Sequence, residues 1–258
     1  MTVSTSPPAL RLENVTVRYG GNVAVDGVSL AAPEGRITGL IGPNGAGKTT
    51  LLNACSGTLG VSDGTVSLFE RDVTRRAPAA RARLGLGRTF QRMELYDSLT
   101  VAENVRMGRE AAFLDARPWH HLIARPAESR AVSAGADEAL ELCGLTGLAT
   151  RRAGSLSTGQ RRLVELARAL AGPYRLLLLD EPASGLGQRE TETFARILTG
   201  AVARRGVGAL IVEHDVDLVM GICHYIYVLD FGRLIFEGTP DEVQRSAVVR
   251  TAYLGAEA

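Results

Sequence analysis

The sequence predicts an α/β fold with a parallel sheet at its centre, an antiparallel β portion near its start and an inserted helical region. Three observations carry that expectation. Short apolar runs such as Arg36–Ile41 and Leu176–Asp180 alternate with helix-length stretches, the pattern of strands buried on both faces. One such run passes through the glycine-rich Gly42–Gly47 directly into a helical segment. Over residues 92–160 the texture changes to alanine, glutamate, arginine and leucine at helical spacing.

The elements follow in order. Leu10, Leu12, Val15 and Val17, then Val23, Val25, Val28 and Leu30, alternate as two strands around the tight turn Gly20-Gly21-Asn22. This antiparallel start belongs to a small sheet beside the main one. After the strand Arg36–Ile41 and its glycine loop, Lys48–Cys55 reads as a helix, and Thr65–Phe69 marks another strand-turn-strand. Val101–Arg109 and Ala131–Cys143 are predicted helices, separated by a proline-broken surface excursion around Leu114–His121. The α/β pattern resumes with a helix over 160–171, the stop Gly172-Pro173 and the strand Arg175–Asp180. A helix over 189–204, the strand Val207–Glu213 and a hairpin of Tyr225–Leu229 with Leu234–Phe236 complete the chain. We therefore expect a single domain over 1–258, its core formed by 1–91 and 161–258 and its helical subdomain by 92–160.

Composition narrows the function classes. The chain has 258 residues, 45% hydrophobic and 22% charged, which is ordinary globular composition. With 29 basic and 28 acidic side chains the formal charge is +1, so no overall basic footprint points to nucleic acid or anionic lipid. All the basic residues but one are arginine, and the lysine is Lys48. Cys55, Cys143 and Cys223 are odd in number and far apart, which predicts buried thiols in a reducing compartment. The opening MTVSTSPPAL predicts no secretory signal, and no apolar run approaches the ~20 residues a spanning helix needs.

Three stretches carry chemistry. Gly42-x-x-x-x-Gly47-Lys48-Thr49 matches the phosphate-binding loop, with Pro43, Asn44, Gly45 and Ala46 inside it and Thr50 following. Its glycines let backbone N–H groups face phosphate oxygens at a helix N-terminus; Lys48 adds a charge and Thr49 a Mg²⁺ ligand. Leu176-Leu177-Leu178-Leu179-Asp180 is an apolar strand ending in a carboxylate suited to the metal's water. Glu181, one residue beyond, is placed to face the attacking water as general base or water-orienting group. Ser157-Thr158-Gly159-Gln160, just before a helix, forms a second anion cradle. A monomeric nucleotide enzyme needs one cradle; two suggest nucleotide shared between two chains.

Leu156-Ser157-Thr158-Gly159-Gln160 resembles the signature motif of ATP-binding cassette proteins, with threonine where glycine is commoner, and the resemblance covers nearly the whole chain. It implies an α/β P-loop ATPase core and assigns three more residues. Tyr19 matches the aromatic that stacks on adenine. Gln91, in Arg88-Thr89-Phe90-Gln91, matches the glutamine that touches Mg²⁺. His214, in Val212-Glu213-His214-Asp215, matches the histidine that contacts the γ-phosphate. The implied cofactors are ATP and Mg²⁺, the metal held by Thr49, Gln91 and Asp180. Lys48, Glu181 and His214 are the implied catalytic set. One departure stands out: after Glu181 the family places an aspartate or asparagine where this chain has Gly187.

The resemblance further implies a second ATPase subunit, a copy or a paralogue, closing head to tail. Each ATP would then lie between the Lys48 loop of one chain and Ser157–Gly159 of the other. Separate transmembrane permease subunits and, indirectly, an extracytoplasmic solute-binding protein are the other implied partners; nucleic acid is not one. The chain would sit as a peripheral protein on the inner face of the cell membrane. Arg88–Gln91, the insert near 110–130, His214–Cys223 and Tyr227–Pro240 resemble the branched-chain amino acid importer branch. Relatives that import urea or amides, or export lipopolysaccharide, and a non-transport assembly ATPase remain open alternatives at this stage. A GTPase would need a base-reading lysine motif, and the lysine of this chain lies in the phosphate loop.

Several features read as structural. Asp230-Phe231-Gly232 spells a kinase metal motif but falls in the terminal hairpin, so it is read as a turn. His120 and His121 beside Trp119 read as a polar excursion, and His224 as a structural residue between helix and strand. Met93, Leu95 and Tyr96, within Gln91–Tyr96, are candidates either for a permease contact or for core packing.

Overall fold

The computed structural model describes residues 8–89, 95–110 and 126–254. Contacts divide them into two compact units. One holds the described residues up to Arg88 together with Arg175–Pro182 and those from Val202 on; the other holds those of Thr89–Tyr174 and Ala183–Ala201.

The first unit is built on two sheets. Strands β1 (Pro8–Tyr19) and β2 (Asn22–Pro33) form an antiparallel hairpin in which Tyr19 pairs with Asn22. β4 (Asp63–Leu68) and β5 (Arg71–Asp72) extend it to a four-stranded sheet in the order β2-β1-β4-β5. The second sheet has six strands. β3 (Ile37–Ile41), β6 (Leu86–Arg88), β7 (Leu176–Asp180), β8 (Gly208–Val212) and β9 (Tyr225–Asp230) run parallel, and β10 (Arg233–Gly238) returns antiparallel to β9. The order is β10-β9-β3-β8-β7-β6. Every residue of β3, β7 and β8 is buried, as expected of parallel strands covered on both faces. Leu12, Val28, Leu40, Leu52, Leu178 and Leu210 share the hydrophobic core between the sheets and helix α1 (Lys48–Ser56).

Parallel strands direct their carboxyl ends to one edge, and that edge is where α/β sheets place ligands. Here the edge collects the ends of β3 at Ile41, β6 at Arg88, β7 at Asp180, β8 at Val212 and β9 at Asp230.

The far end of α1 is closed by Arg81, from the short helix α2 (Pro78–Arg83). Arg81 is 1% exposed and donates to the carbonyls of Ala54 (2.6 Å), Cys55 (2.7 Å), Thr74 (3.1 Å) and Arg76 (3.1 Å). The Ala54 and Cys55 carbonyls belong to the last turn of α1, where a helix leaves carbonyls without intrahelical partners, and those of Thr74 and Arg76 belong to the segment between β5 and α2. Arg81→Met removes all four donors from a buried place and is expected to cost at least ~3 kcal/mol. Chemical denaturation checks this, and a midpoint shift equivalent to under ~1 kcal/mol would show that water replaces the guanidinium.

The second unit is helical. α3 (Val101–Glu110), α4 (Pro126–Leu142) and α5 (Thr158–Ala171) pack on one another. Gly108 lets α3 approach α5 closely, because a Cβ there would lie 2.0 Å from the Arg168 carbonyl oxygen. Fully buried Asn104 clamps the turn before α3, accepting from Tyr96 N and donating to the carbonyls of Tyr96 and Thr100. Arg162 and Glu165 of α5 form a buried ion pair at 3.0 Å. This packing places residues 161–174, read from the sequence with the core, among the helices, and 183–201 join the same unit.

Cys55, Cys143 and Cys223 are buried, and burial pushes the Cys55 and Cys223 thiols up to about 12. His224 joins the helix α7 (Val216–Ile222) to β9, its Nδ1 accepting from Ile37 N at 3.2 Å. The excursion around Trp119, His120 and His121 lies outside the described residues.

Candidate functional site

The glycine loop leaves β3 and becomes the N-terminus of α1. Gly47 is the helix N-cap at φ 96° in the left-handed region, and a Cβ there would lie 2.5 Å from the Ala24 carbonyl oxygen. No side chain caps α1, and its first turn carries no acidic residue. The first-turn amides therefore face the loop with the positive end of the helix behind them, an arrangement suited to an anion.

Lys48 is 7% exposed, and its ammonium donates back into the loop to the carbonyls of Gly42 (2.7 Å) and Pro43 (2.9 Å). Burial lowers its pKa, while the nearby Glu181 and Asp180 carboxylates raise it. A cavity of about 390 Å³ opens here, lined by Asn44, Gly45, Ala46, Gly47, Lys48, Thr49, Thr50 and Glu181. Pro43 faces an adjoining cavity.

Asp180 ends β7 and Glu181 follows it, in a different environment. Asp180 is 2% exposed; burial raises its pKa and the Arg88 guanidinium lowers it. Its Oδ2 lies 3.4 Å from Arg88 Nη2, and its Oδ1 is buried with no hydrogen-bond partner among the described residues. A buried carboxylate oxygen with an open lone pair suits a metal ion or its water. Glu181 is half-buried, its N–H donating to Val212 O at 2.8 Å, and it adopts φ 46°. A left-handed glutamate is a sparsely populated conformation of the kind that gathers at functional sites.

β8 is followed by fully buried Glu213 and exposed His214. Glu213 Oε2 accepts from His214 N at 3.2 Å and lies 3.8 Å from His214 Nδ1. Tyr19 is 51% exposed at the tip of the β1–β2 hairpin, whose other strand supplies Asn22, Val23 and Ala24 to the cavity wall. Gln91 lies outside the described residues, as do Met93 and the insert segment 111–125.

In the second unit, Ser157 is the N-cap of α5. Its Oγ accepts from Gln160 N at 3.3 Å while Gln160 Oε1 accepts from Ser157 N at 3.1 Å, a complete capping box. Thr158 is exposed and Gly159 buried in the same first turn. Gly187 precedes α6 (Gln188–Arg205); its N–H donates to Glu190 Oε2 at 3.2 Å, and its carbonyl accepts from Glu190 N. With no side chain it supplies only backbone groups to that helix start.

Four features around the site escape the sequence reading: the start of β2, the β9–β10 turn, Arg88 and Glu213. Asn22, Val23 and Ala24 reach the cavity from β2, and the Asp230-Phe231-Gly232 turn does more than reverse the chain. Phe231 (φ 43°) and Gly232 (φ 78°) shape the tight β9–β10 turn. Gly232 N donates to Ala46 O at 3.0 Å and Gly232 O accepts from Asp26 N at 2.8 Å, so the hairpin tip clasps the glycine loop. The other two are Arg88, beside Asp180, and Glu213, behind His214. A turn or a charge at the carboxyl end of a parallel strand was the available signal.

Residues 25–184 match the ABC transporter family, and residues 233–258 match the family of branched-chain amino acid ATP-binding cassette transporters. A high-affinity branched-chain amino acid transport ATP-binding protein of Salmonella typhimurium is 38% identical over 97% of this chain and 99% of its own length. Its counterpart in Pseudomonas aeruginosa is 36% identical over the same shares. A crystal structure of the ADP conformation of an ATP-binding cassette of an ABC transporter gives a TM-score of 0.85 at 33% identity, covering 97% of this chain and 100% of that one.

Proposed function

The chain belongs to the ABC transporter family of ATP-binding proteins, and from that premise we propose that it is the ATP-hydrolysing subunit of a branched-chain amino acid importer. The observation that carries the solute assignment is the match of residues 233–258 to the branched-chain family, on a chain similar end to end to transport proteins of that class. The ATPase assignment rests on the family and is supported by the constellation at the sheet edge.

In this reading the loop Gly42–Gly47 and the first turn of α1 cradle the phosphates of ATP, and Lys48 turns its ammonium from the loop carbonyls toward them. Tyr19 stacks on the base from the hairpin tip. The metal fits the donors described: the exposed Thr49 hydroxyl and the open Asp180 Oδ1 would hold Mg²⁺, directly or through water, with Gln91 assigned to it by the family resemblance. When bound, Mg²⁺ neutralises charge on the β- and γ-phosphates. Glu181 accepts the proton of the attacking water, and His214 donates a hydrogen bond to the γ-phosphate oxygen as charge grows there.

Ser157, Thr158 and Gly159 serve the ATP of a second chain, so that two subunits close head to tail around two nucleotides. The capping box already holds that turn in shape. Gly187 contributes no side chain to the contact between the chains. No helix among the described residues is long and apolar enough to cross a membrane, and we place the subunit on the cytoplasmic face through permease partners. Residues 92–160 form the core of the part that transmits nucleotide state to the permease, with Leu95 and Tyr96 at its edge; Tyr96 is 53% exposed.

Affinity purification from native membranes tests the assignment. Multi-span permeases are expected with the chain, and vesicles rebuilt from them with the solute-binding protein should take up leucine, isoleucine or valine only with ATP. Recovery of a lipid exporter, or of soluble scaffold proteins alone, would overturn the importer reading and leave the ATPase intact.

A further inference from the structure

We propose that Arg88 is a positioning residue for Asp180, tying the strand-end carboxylate to the far end of the helix that carries Lys48 and Thr49. The inference rests on the reading of Asp180 as the metal-side carboxylate.

The need for an anchor follows from the carboxylate itself. The terminal torsion of an aspartate is soft, so burial alone does not decide which oxygen faces the metal. Arg88 supplies a direction. It ends β6, in register with Leu178 of β7, and its side chain is 12% exposed. Nη2 lies 3.4 Å from Asp180 Oδ2, which leaves Oδ1 as the oxygen without a hydrogen-bond partner among the described residues.

Arg88 is in turn fixed to α1. Nη1 donates to Ser56 Oγ at 2.7 Å and to Thr58 Oγ1 at 3.3 Å. The two hydroxyls lie 3.0 Å apart and both donate to the Asn53 carbonyl in the last turn of α1, at 3.0 and 3.2 Å. The connection therefore runs from α1 through two hydroxyls and one guanidinium to β7. Its links are unequal. The hydroxyl bond is short, whereas 3.4 Å to Asp180 exceeds the ~2.7–2.9 Å of a strong charge-assisted bond. Arg88 is held firmly by the helix and guides the carboxylate loosely, so Asp180 can adjust to a metal without losing its orientation. The two nitrogens work in different directions, which a lysine ammonium cannot reproduce.

The test measures metal binding directly, by Mn²⁺ electron paramagnetic resonance titration of the full chain with ADP, beside metal-free ADP affinity. Arg88→Met is expected to weaken Mn²⁺ binding about tenfold, as loss of an outer-shell partner does, with metal-free ADP affinity changed less than about twofold. Arg88→Lys should recover part of the loss. The Ser56→Ala/Thr58→Val pair, which keeps the charge and removes the anchor, should weaken Mn²⁺ binding by a smaller factor and covers the case in which Arg88→Met does not fold. Asp180→Asn separates the two readings. If it abolishes Mn²⁺ binding while both the Arg88 variants and the hydroxyl pair leave it unchanged, the positioning role is overturned and the metal site stands. If Asp180→Asn itself binds Mn²⁺ normally, the site reading fails and takes the inference with it. Equal loss of Mn²⁺ and metal-free ADP affinity in every folded variant would show a general structural role and overturn the proposal.

Discussion

Glu181→Gln is expected to reduce steady-state ATP hydrolysis by about 10²–10⁴-fold, the range a positioned general base contributes, while ATP still binds. The substitution keeps the shape of the side chain and removes its ability to take a proton. The fold singles this residue out. Asp180, one position earlier, is buried at the strand end, whereas Glu181 leaves the strand at φ 46° and lines the cavity with Lys48 and Thr49. The hydrogen bond from its N–H to Val212 O ties that turn to the neighbouring strand, so the unusual backbone is imposed by the sheet. Phosphate release and equilibrium ATP binding, measured on the same preparation, check the result. Hydrolysis at the unmodified rate would remove Glu181 from the role of base.

Lys48→Ala is expected to weaken ATP binding about 10- to 100-fold, the worth of one to two charged hydrogen bonds, and to bring hydrolysis to background. The Lys48 ammonium is nearly enclosed, with the loop carbonyls of Gly42 and Pro43 as acceptors and two carboxylates close enough to favour its charged form. In the proposed mechanism it exchanges those carbonyls for phosphate oxygens. Arginine is far commoner in this chain, yet its planar fork is a different donor from the compact ammonium that points back into the loop here. Calorimetric titration with ATP checks the affinity, and unchanged binding would count against the phosphate-loop assignment.

Local chemistry was the legible part of the fold and site. The glycine loop, the apolar strand into Asp180-Glu181 and Ser157–Gln160 are contiguous, and each occupies the strand, loop or helix start expected of it. The parallel strands were readable because burial on both faces demands unbroken apolar residues, as in Leu176–Leu179. What escaped depends on distance along the chain. Arg88 and Asp180 are 92 residues apart, and nothing near either one announces the pair. The Asp230-Phe231-Gly232 turn was correctly read as a turn, but its bond to Ala46 exists only because β9 lies beside β3. The helix α5 follows the signature stretch and looked like the return to the core. Its packing on α3 and α4 puts it in the helical unit, and a hydrophobic stripe does not name the surface it will cover.

Gly187 shows a different limit. The sequence shows that a side chain is missing, and the structure shows what the position keeps: a helix start closed by Glu190 from within its own turn. Glycine costs only a few tenths of a kcal/mol as an N-cap, so the local helix tolerates it.

ATP is expected to be bound and hydrolysed between two copies or paralogues of this subunit. Sedimentation velocity of the Glu181→Gln protein with Mg²⁺ and ATP tests it most directly, with Ser157→Arg added in parallel to block the second cradle. The expected result is a monomer without nucleotide, a species of twice the mass with ATP, and a return to monomer when Ser157 is also replaced. A protein that binds ATP fully in the Lys48 loop yet stays monomeric at every concentration, alone and mixed with its paralogues, would contradict the shared site.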